Sequence, residues 1–596
     1  MKNKVKSRLC LFANLLFYVV FAALDGPVWC RDSGSYATMD YTREPLYCTF
    51  LWLMRKIFGE TIMVHGWDLT DRVDGKAAAE EPLYLMAVII CQAVVTALVV
   101  WYLVKTCYSL WASLKRSGAM RVAAVANAVM WAVELLNRFG AKRGSAYFQS
   151  IMTEGFGIPF YILFLLLLFR YLQARLEGSG KWKSCLVGTA VMMTVCTSHH
   201  KQLGITILIF AVSALGLDLL EMIRHRKRGV GEDNRCNCGL DESKNIENGN
   251  RGIASARQWL LRDMAVLACV GGMIFVIGHA YNLSFHGVWS FHTGSADKID
   301  STLLYTAAEE DAELFDRYAD ASGEYSASDL KELFLEIEEE LTEQGLRYVD
   351  IIPVSLEDNA SAAKASSDAV NAGAAESDGG ASEPAEEHAK VSWVELCSHY
   401  ADSYDIIGFE VLDPLVSSFV SEQRPDLTSG SMEFAIAEDT VCRELMQVLI
   451  HQNPKRLIWL WLNNIRKGFV NTVLRVTTVL NWASLVLWTG YIGLLGYLCV
   501  DMHRRTRLGK RDGCVCGRSG TAIGGERYLP SDNEIGIALL AGLVLLGTFI
   551  NSVVVGAIIF PQTRYMIYNM GLFYVCGIMM AGAVIGTYRV KSESGE

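Results

Sequence analysis

Charge is scarce in this 596-residue sequence. Asp, Glu, Lys and Arg make up 20% of it, against roughly a quarter in an ordinary soluble chain. They are nearly absent from a series of apolar runs that reach or approach the roughly 20 residues needed to cross a bilayer core. That scarcity, with 52% hydrophobic residues and a mean hydropathy of +0.24, argues against a soluble globular protein. No internal repeat is visible, and no set of metal ligands has a convincing spacing. Positive charge is missing from one long stretch in particular. Residues 282–455 hold 36 Asp and Glu against 9 Lys and Arg, a net of −27. The whole chain is −10, so the remainder carries +17. The chain therefore has two oppositely charged compartments, and nothing in its balance points to a nucleic-acid partner.

The apolar runs predict an all-α polytopic membrane protein of about ten spans. They lie near 9–24, 84–105, 121–136, 150–173, 184–198, 203–221, 263–281, 477–500, 535–560 and 565–588; those at 121–136 and 184–198 are short. Short loops rich in Lys and Arg stay in the cytoplasm. The N-terminus, Met-Lys-Asn-Lys-Val-Lys-Ser-Arg, is one such segment, and counting forward the others are 105–121, 170–183, 224–262, 503–527 and the C-terminal tail. The alternate segments 25–83 and 282–455 are acidic and fall outside. The expected location is a plasma membrane, bacterial by its general character, with the large domain extracytoplasmic. The first run ends in Phe21-Ala22-Ala23, small enough for a signal-peptide cleavage site, but Asp25 sits close to any cut and the reading favours a retained anchor.

Three modules result: a transmembrane module at 1–281, an acidic extracytoplasmic insertion at 282–455 and a second transmembrane module at 456–596. In the first external loop, Leu46, Phe50, Leu51, Leu53, Met54, Ile57 and Phe58 recur at helical spacing after Pro45. They predict a helix lying in the membrane interface or packed on the bundle. The insertion is mainly helical. An amphipathic helix at 328–345 is capped by Ser328 or Asp329 and buries Leu330, Leu333, Phe334 and Ile337. The stretch 358–390, of Ala, Ser, Gly, Asp and Glu, reads as disordered. Cysteines sort by side. Cys30, Cys48, Cys397 and Cys442 are external and even in number, which permits disulfides. Cys236/Cys238 and Cys514/Cys516 form two cytoplasmic Cys-x-Cys pairs whose spacing is not the usual zinc spacing.

Four groups of residues on the external face are candidates for chemistry. Asp32 follows the first span directly, where a carboxylate is placed to take a proton from an acceptor at the membrane surface; a solvated loop residue fits the same position. Glu154, after Thr153, enters an apolar run, where an ionisable side chain is a functional candidate; it reads equally as an interfacial residue or a partner of Lys142 or Arg143. The run Ser198-His199-His200-Lys201-Gln202 gathers cationic and imidazole groups suited to a lipid phosphate. Adjacent histidines do not face each other on a helix, so a metal pair fits poorly there. Arg564, before Tyr565, stands at headgroup level, where guanidinium matches phosphate; a snorkelling anchor would stand there too.

Taken together, these pieces resemble the GT-C superfamily of membrane glycosyltransferases, whose members include protein O-mannosyltransferases and lipid A aminoarabinose transferases. The family's first external loop typically reads Asp-Ser-x-Ser-Tyr and then Arg-x-Pro-x-Tyr-Pro before an interfacial helix. Here Asp32-Ser33-Gly34-Ser35-Tyr36 and Arg43-Glu44-Pro45-Leu46-Tyr47 match, with Cys48 where the second proline is usual. Thr153-Glu154 and Arg564-Tyr565 match later family features. The resemblance covers roughly 1–220 and 535–590 and leaves out 282–455. It implies a GT-C-like bundle and transfer of a sugar from a polyprenyl-phosphate donor to an extracytoplasmic glycan, lipid or protein. Asp32, with Glu154, would be the catalytic carboxylates. Arg564, Tyr565, Lys201, His200 and Arg43 would hold the donor phosphate and its lipid, and Tyr36 and Tyr47 would position the acceptor. The His199-His200-Lys201 run departs from the Arg-containing family segment. The resemblance leaves room for a divalent metal but implies no certain cofactor. Two other classes stay open: a transporter or lipid flippase, for which Glu134 and Asn551 are the main intramembrane polar residues, and a surface-assembly protein whose working part is 282–455.

Overall fold

The computed structural model describes residues 2–64, 80–112, 114, 118–140, 146–231, 242–291, 296–319, 323–348, 393–473, 483–513 and 532–594. The stretch 358–390 and both Cys-x-Cys pairs lie outside these residues. In chain order the helices are α1 (Lys2–Asp25), α2 (Ser33–Ala37), α3 (Pro45–Phe58), α4 (Leu83–Ala112), α5 (Ala119–Gly140), α6 (Glu154–Leu176), α7 (Trp182–His199), α8 (Ile205–Gly231), α9 (Glu242–His286), α10 (Ala296–Thr306), α11 (Phe315–Tyr318) and α12 (Ala327–Glu343). They continue as α13 (Trp393–Ile406), α14 (Asp413–Gln423), α15 (Met432–Leu449), α16 (Pro454–Val473), α17 (Ser484–Gly513), α18 (Asp532–Ile558), α19 (Thr563–Met566) and α20 (Met570–Ser594). The sequence did not announce the two-stranded sheet found among the described residues, an antiparallel pairing of β1 (Ile62–Val64) with β2 (Glu80–Pro82) that closes the first loop ahead of α4.

The protein is a multi-pass helical membrane protein: among the described residues nine helices are long and apolar enough to cross a bilayer. They correspond to nine of the ten expected runs. The tenth, at 184–198, is part of α7, an 18-residue helix whose Lys183, Ser184, Thr189, Thr194, Thr197 and Ser198 dilute its hydropathy. It packs along α6, and His199 at its end meets the carbonyl of Thr153 at the start of α6, Nε2 to O 2.8 Å. An 18-residue helix rises about 27 Å, so α7 returns the chain to the level at which α6 began.

Contacts divide the chain into two units, 1–291 with 468–551 and 562–596, and 292–467 with 552–561. The sequence boundaries at 281/282 and 455/456 both shift toward the C-terminus, to 291/292 and 467/468, and 552–561 joins the second unit. At the first of them, Trp289 and Phe291 fold back on α9, their rings 4.6 and 5.8 Å from that of His279, and so stay with the first unit.

In the second unit, α12 buries Leu330, Leu333, Phe334, Ile337 and Leu341. Its cap is Ser326, two residues before the expected position, whose Oγ accepts from the backbone N–H of Asp329. Capping needs an extended residue whose oxygen reaches the N–H three positions on, and Ser326 has that conformation.

In the first unit, α1 is tied to its neighbours by polar groups within the apolar layers. Asn14 Nδ2 donates to Asn127 Oδ1 at 2.7 Å and Asn14 Oδ1 accepts from Trp131 Nε1 at 2.9 Å. At its far end Asp25, fully buried, is held by Arg138 of α5 and by Gln149 Nε2 at 2.9 Å. Gly26 then turns the chain with φ +74°, a conformation that glycine adopts without a Cβ penalty.

Candidate functional site

The first loop is fixed by its backbone. Val28 N–H donates to the Gln149 carbonyl at 2.9 Å, and Ile151 N–H donates to Val28 at 3.0 Å. Buried Ser33 anchors the next residues, its Oγ donating to the Ile151 carbonyl at 2.8 Å. These bonds set the loop beside the start of α6 and place Asp32 just before α2, where its side chain caps nothing. Instead Asp32 Oδ1 meets Arg43 Nη2 at 3.2 Å and Oδ2 meets Arg564 Nη1 at 2.7 Å. Residues 32, 43 and 564, far apart in sequence, thus form one ion triplet.

Each guanidinium is oriented by further contacts. Arg43 Nε donates to Ser35 Oγ at 2.8 Å, and its Cζ lies 4.8 Å from the centre of the Tyr36 ring. Arg564 Nη2 donates to the Tyr565 hydroxyl at 2.7 Å. The backbone under Arg564 is pinned in turn: the Tyr565 carbonyl accepts from Asn551 Nδ2 at 2.9 Å and from Gln202 Nε2 at 2.5 Å. Arg564 Nε is buried with no hydrogen-bond partner among the described residues.

Glu154 opens α6 and is only 1% exposed. A carboxylate in the first turn is favoured by the helix dipole, and Glu154 Oε2 accepts a long bond from Thr153 Oγ1, 3.4 Å. It acts through space on Arg564 and on the tyrosines around it, Tyr36, Tyr47, Tyr565 and Tyr568. Gly155 beside it has no room for a side chain, since a Cβ there would stand 2.4 Å from Gln92 Nε2. Gln92 is the unforeseen organiser of this corner. Its Nε2 donates to the carbonyls of Phe148 and Ser150 at 2.8 and 3.1 Å, and its Oε1 accepts from the Tyr47 hydroxyl at 3.2 Å. A lone glutamine in the run Ile89-Ile90-Cys91-Gln92-Ala93-Val94 was the available signal, because an amide inside an apolar span needs internal partners. Gly155→Ala is expected to push Gln92 off these carbonyls and cost about 1–3 kcal/mol, read as a lower melting temperature of the detergent-solubilised protein.

The other sequence candidates divide. His199 is a packing residue, enclosed by the rings of Tyr47, Phe156 and Phe160 at 5.3–5.9 Å. Tyr47 is fully buried and serves the Gln92 network, while its ring meets that of Tyr36 edge to face at 5.4 Å. His200 and Lys201 stand beside the triplet: the His200 ring is 6.4 Å from Tyr565, and the Lys201 backbone N–H donates to Glu44 Oε1 at 2.9 Å. Glu44, adjacent to Arg43, thereby clips the first loop to the turn between α7 and α8. Cys48 is a buried thiol that burial pushes up to about 12.

Electrostatics favour the charged forms of Asp32 and Glu44. Burial alone would raise Asp32, but Arg564 and Arg43 outweigh it and hold the group below the usual carboxylate range. Burial likewise opposes ionisation of Glu44, and His200 and Lys201 overcome it. A folded-state pKa below the unfolded value contributes stability above the unfolded value, and that stability is lost as pH falls through the folded one. The stabilisation that wild type gains over Glu44→Gln should therefore be present above the ordinary glutamate pKa of about 4.3 and shrink as the pH falls below it, read as a narrowing gap in melting temperature.

Among the described residues no three of His, Cys, Asp and Glu converge as they would around a metal ion. What converges is a carboxylate, two guanidiniums and a second, buried carboxylate. That set can bind an oxyanion and accept a proton beside it. Set against known proteins, the chain matches no family model, no curated protein and no solved structure.

Proposed function

We propose that this protein is a membrane glycosyltransferase that moves a sugar from a polyprenyl-phosphate donor to an acceptor outside the cytoplasm. The observation that carries the reading is the Arg43–Asp32–Arg564 triplet. It joins one proton acceptor to two planar cations, at the end of the bundle where α1 and α7 finish and α4 and α6 begin. Guanidinium binds the non-bridging oxygens of a phosphodiester in pairs. The basic short loops at the opposite ends of the spans support a non-cytoplasmic setting for this end. The exposed outer face of α3, with Trp52, Leu53, Ile57 and Phe58, supports a position at the lipid surface.

The chemistry follows from the residues. The acceptor O–H gives its proton to the Asp32 carboxylate. Its oxygen forms the new bond to the anomeric carbon from the face opposite the phosphate, with inversion. The bond from that carbon to the phosphate oxygen breaks, and the electron pair leaves on polyprenyl phosphate. Arg43 and Arg564 stabilise the charge that develops there, and Glu154 keeps Arg564 oriented from its buried side. Lys201 and His200 extend the cationic surface along the lipid, and Tyr36 lines the acceptor side.

The test is transfer of label from a radiolabelled polyprenyl-phosphate sugar in membranes carrying wild type, Asp32→Asn or Arg564→Ala. Loss of transfer in both variants is expected. If both match wild type, the assignment of the site is wrong.

A further inference from the structure

Asp32 is not free to act as a base in the geometry described. Both of its oxygens are engaged, one by each guanidinium. The groups assigned to the donor phosphate are, for their part, already occupied by a carboxylate. Carboxylate and phosphodiester offer guanidinium the same motif, two anionic oxygens in a plane that accept paired N–H bonds. The two therefore compete for one place, and the unpartnered Arg564 Nε is a donor that the carboxylate leaves unused.

We propose that Asp32 is a stand-in for the donor phosphate: the lipid-linked phosphate takes over Arg43 and Arg564, and the displaced carboxylate is thereby released to accept the acceptor's proton. The proposal rests on the glycosyltransferase reading and adds to it an order of events. Donor binding precedes acceptor activation, so the base is held inactive until there is a sugar to transfer. The neighbouring contacts suit an exchange of partners. Arg43 retains Ser35 and the Tyr36 face, and Arg564 retains the Tyr565 hydroxyl, when Asp32 lets go. Neither cation is stranded by the move.

The consequence runs against what a simple loss of a site residue would give. Removing the Asp32 charge should strengthen donor binding, because a competitor has gone and like-charge repulsion with it. The probe is undecaprenyl phosphate, presented in nanodiscs to the full-length protein. Asp32→Asn should bind it on the order of tenfold more tightly than wild type. Asp32→Glu, which keeps the charge, should bind like wild type, and Arg43→Ala should bind more weakly. Asp32→Ser gives the same comparison should the asparagine variant fail to fold. Equal or weaker binding by the neutral variants, with wild type binding well, would overturn the stand-in and leave the transferase reading in place. Absence of saturable binding by wild type would overturn both.

Discussion

Arg564→Ala is expected to lower transfer from a polyprenyl-phosphate sugar by about 10²–10³-fold, the usual effect of removing one preorganised donor to a developing charge. Arg564 carries more of the site than Arg43. Its bond to Asp32 is the shorter, 2.7 against 3.2 Å. It is also the group on which Asp32, Glu154 and Tyr565 all act, and the next residue's carbonyl, that of Tyr565, is held by Asn551 and Gln202. The alanine variant loses the charge that offsets two carboxylates at once, so donor affinity and turnover should fall together. Arg564→Lys should recover only part of the activity. It restores charge but not the planar pair of N–H groups. The check is kcat and KM for the lipid-linked donor in all three proteins. A variant with unchanged kcat and a raised KM would reduce Arg564 to a uniform binding contact.

The second large effect lies at the end of α1. Arg138→Leu should destabilise the first unit by about 3–5 kcal/mol, since removing one partner of a buried pair leaves the other charged and stranded. Asp25 is fully buried and Arg138 nearly so, with Nη2 to Oδ1 at 2.9 Å and Nε to Oδ2 at 2.6 Å. That loss is a large share of a typical folding free energy, so the expected outcome is little folded protein by fluorescence-detected gel filtration. The double variant Asp25→Asn with Arg138→Leu should recover most of it, because no ion is then left without its counterion. Asp25 begins the bonds that lead through Gly26 and Val28 to Asp32, and the Asn14 bonds hold α1 to α5.

The spans were legible because hydropathy needs no partner: each run of about 20 apolar residues declares itself. Helix α7 strained that rule. Its threonines and serines are tolerated within a helix that donates them to its own carbonyls, as Thr189 and Thr194 do. The types of the site residues were legible too. Asp32, Arg43, Glu154 and Arg564 stood out as charges at the ends of apolar runs. Their pairing was not, since nothing in the order of residues says that 32 meets 564. The expected partners of Glu154, Lys142 and Arg143, lie outside the described residues, and the cation that senses it is Arg564. Glu44, Gln92 and Tyr568 were missed as site residues because each works through tertiary contacts. Within the run Ser198-His199-His200-Lys201-Gln202, His199 is a packed ring, whereas its neighbours Lys201 and His200 face Glu44 and Tyr565. The capping residue of α12 was misplaced by two positions because Ser326 and Ser328 are chemically alike, and only Ser326 has an extended backbone.

One measurement separates the transferase from a flippase. Purified wild-type protein is reconstituted into liposomes with a radiolabelled polyprenyl-phosphate sugar and a crude extracytoplasmic acceptor fraction, and the label is followed by solvent partition. The account predicts that label leaves the lipid phase for the acceptor while an equal amount of free polyprenyl phosphate appears, and that Asp32→Asn stops both. Label that stays on its lipid and moves from one leaflet to the other would contradict it.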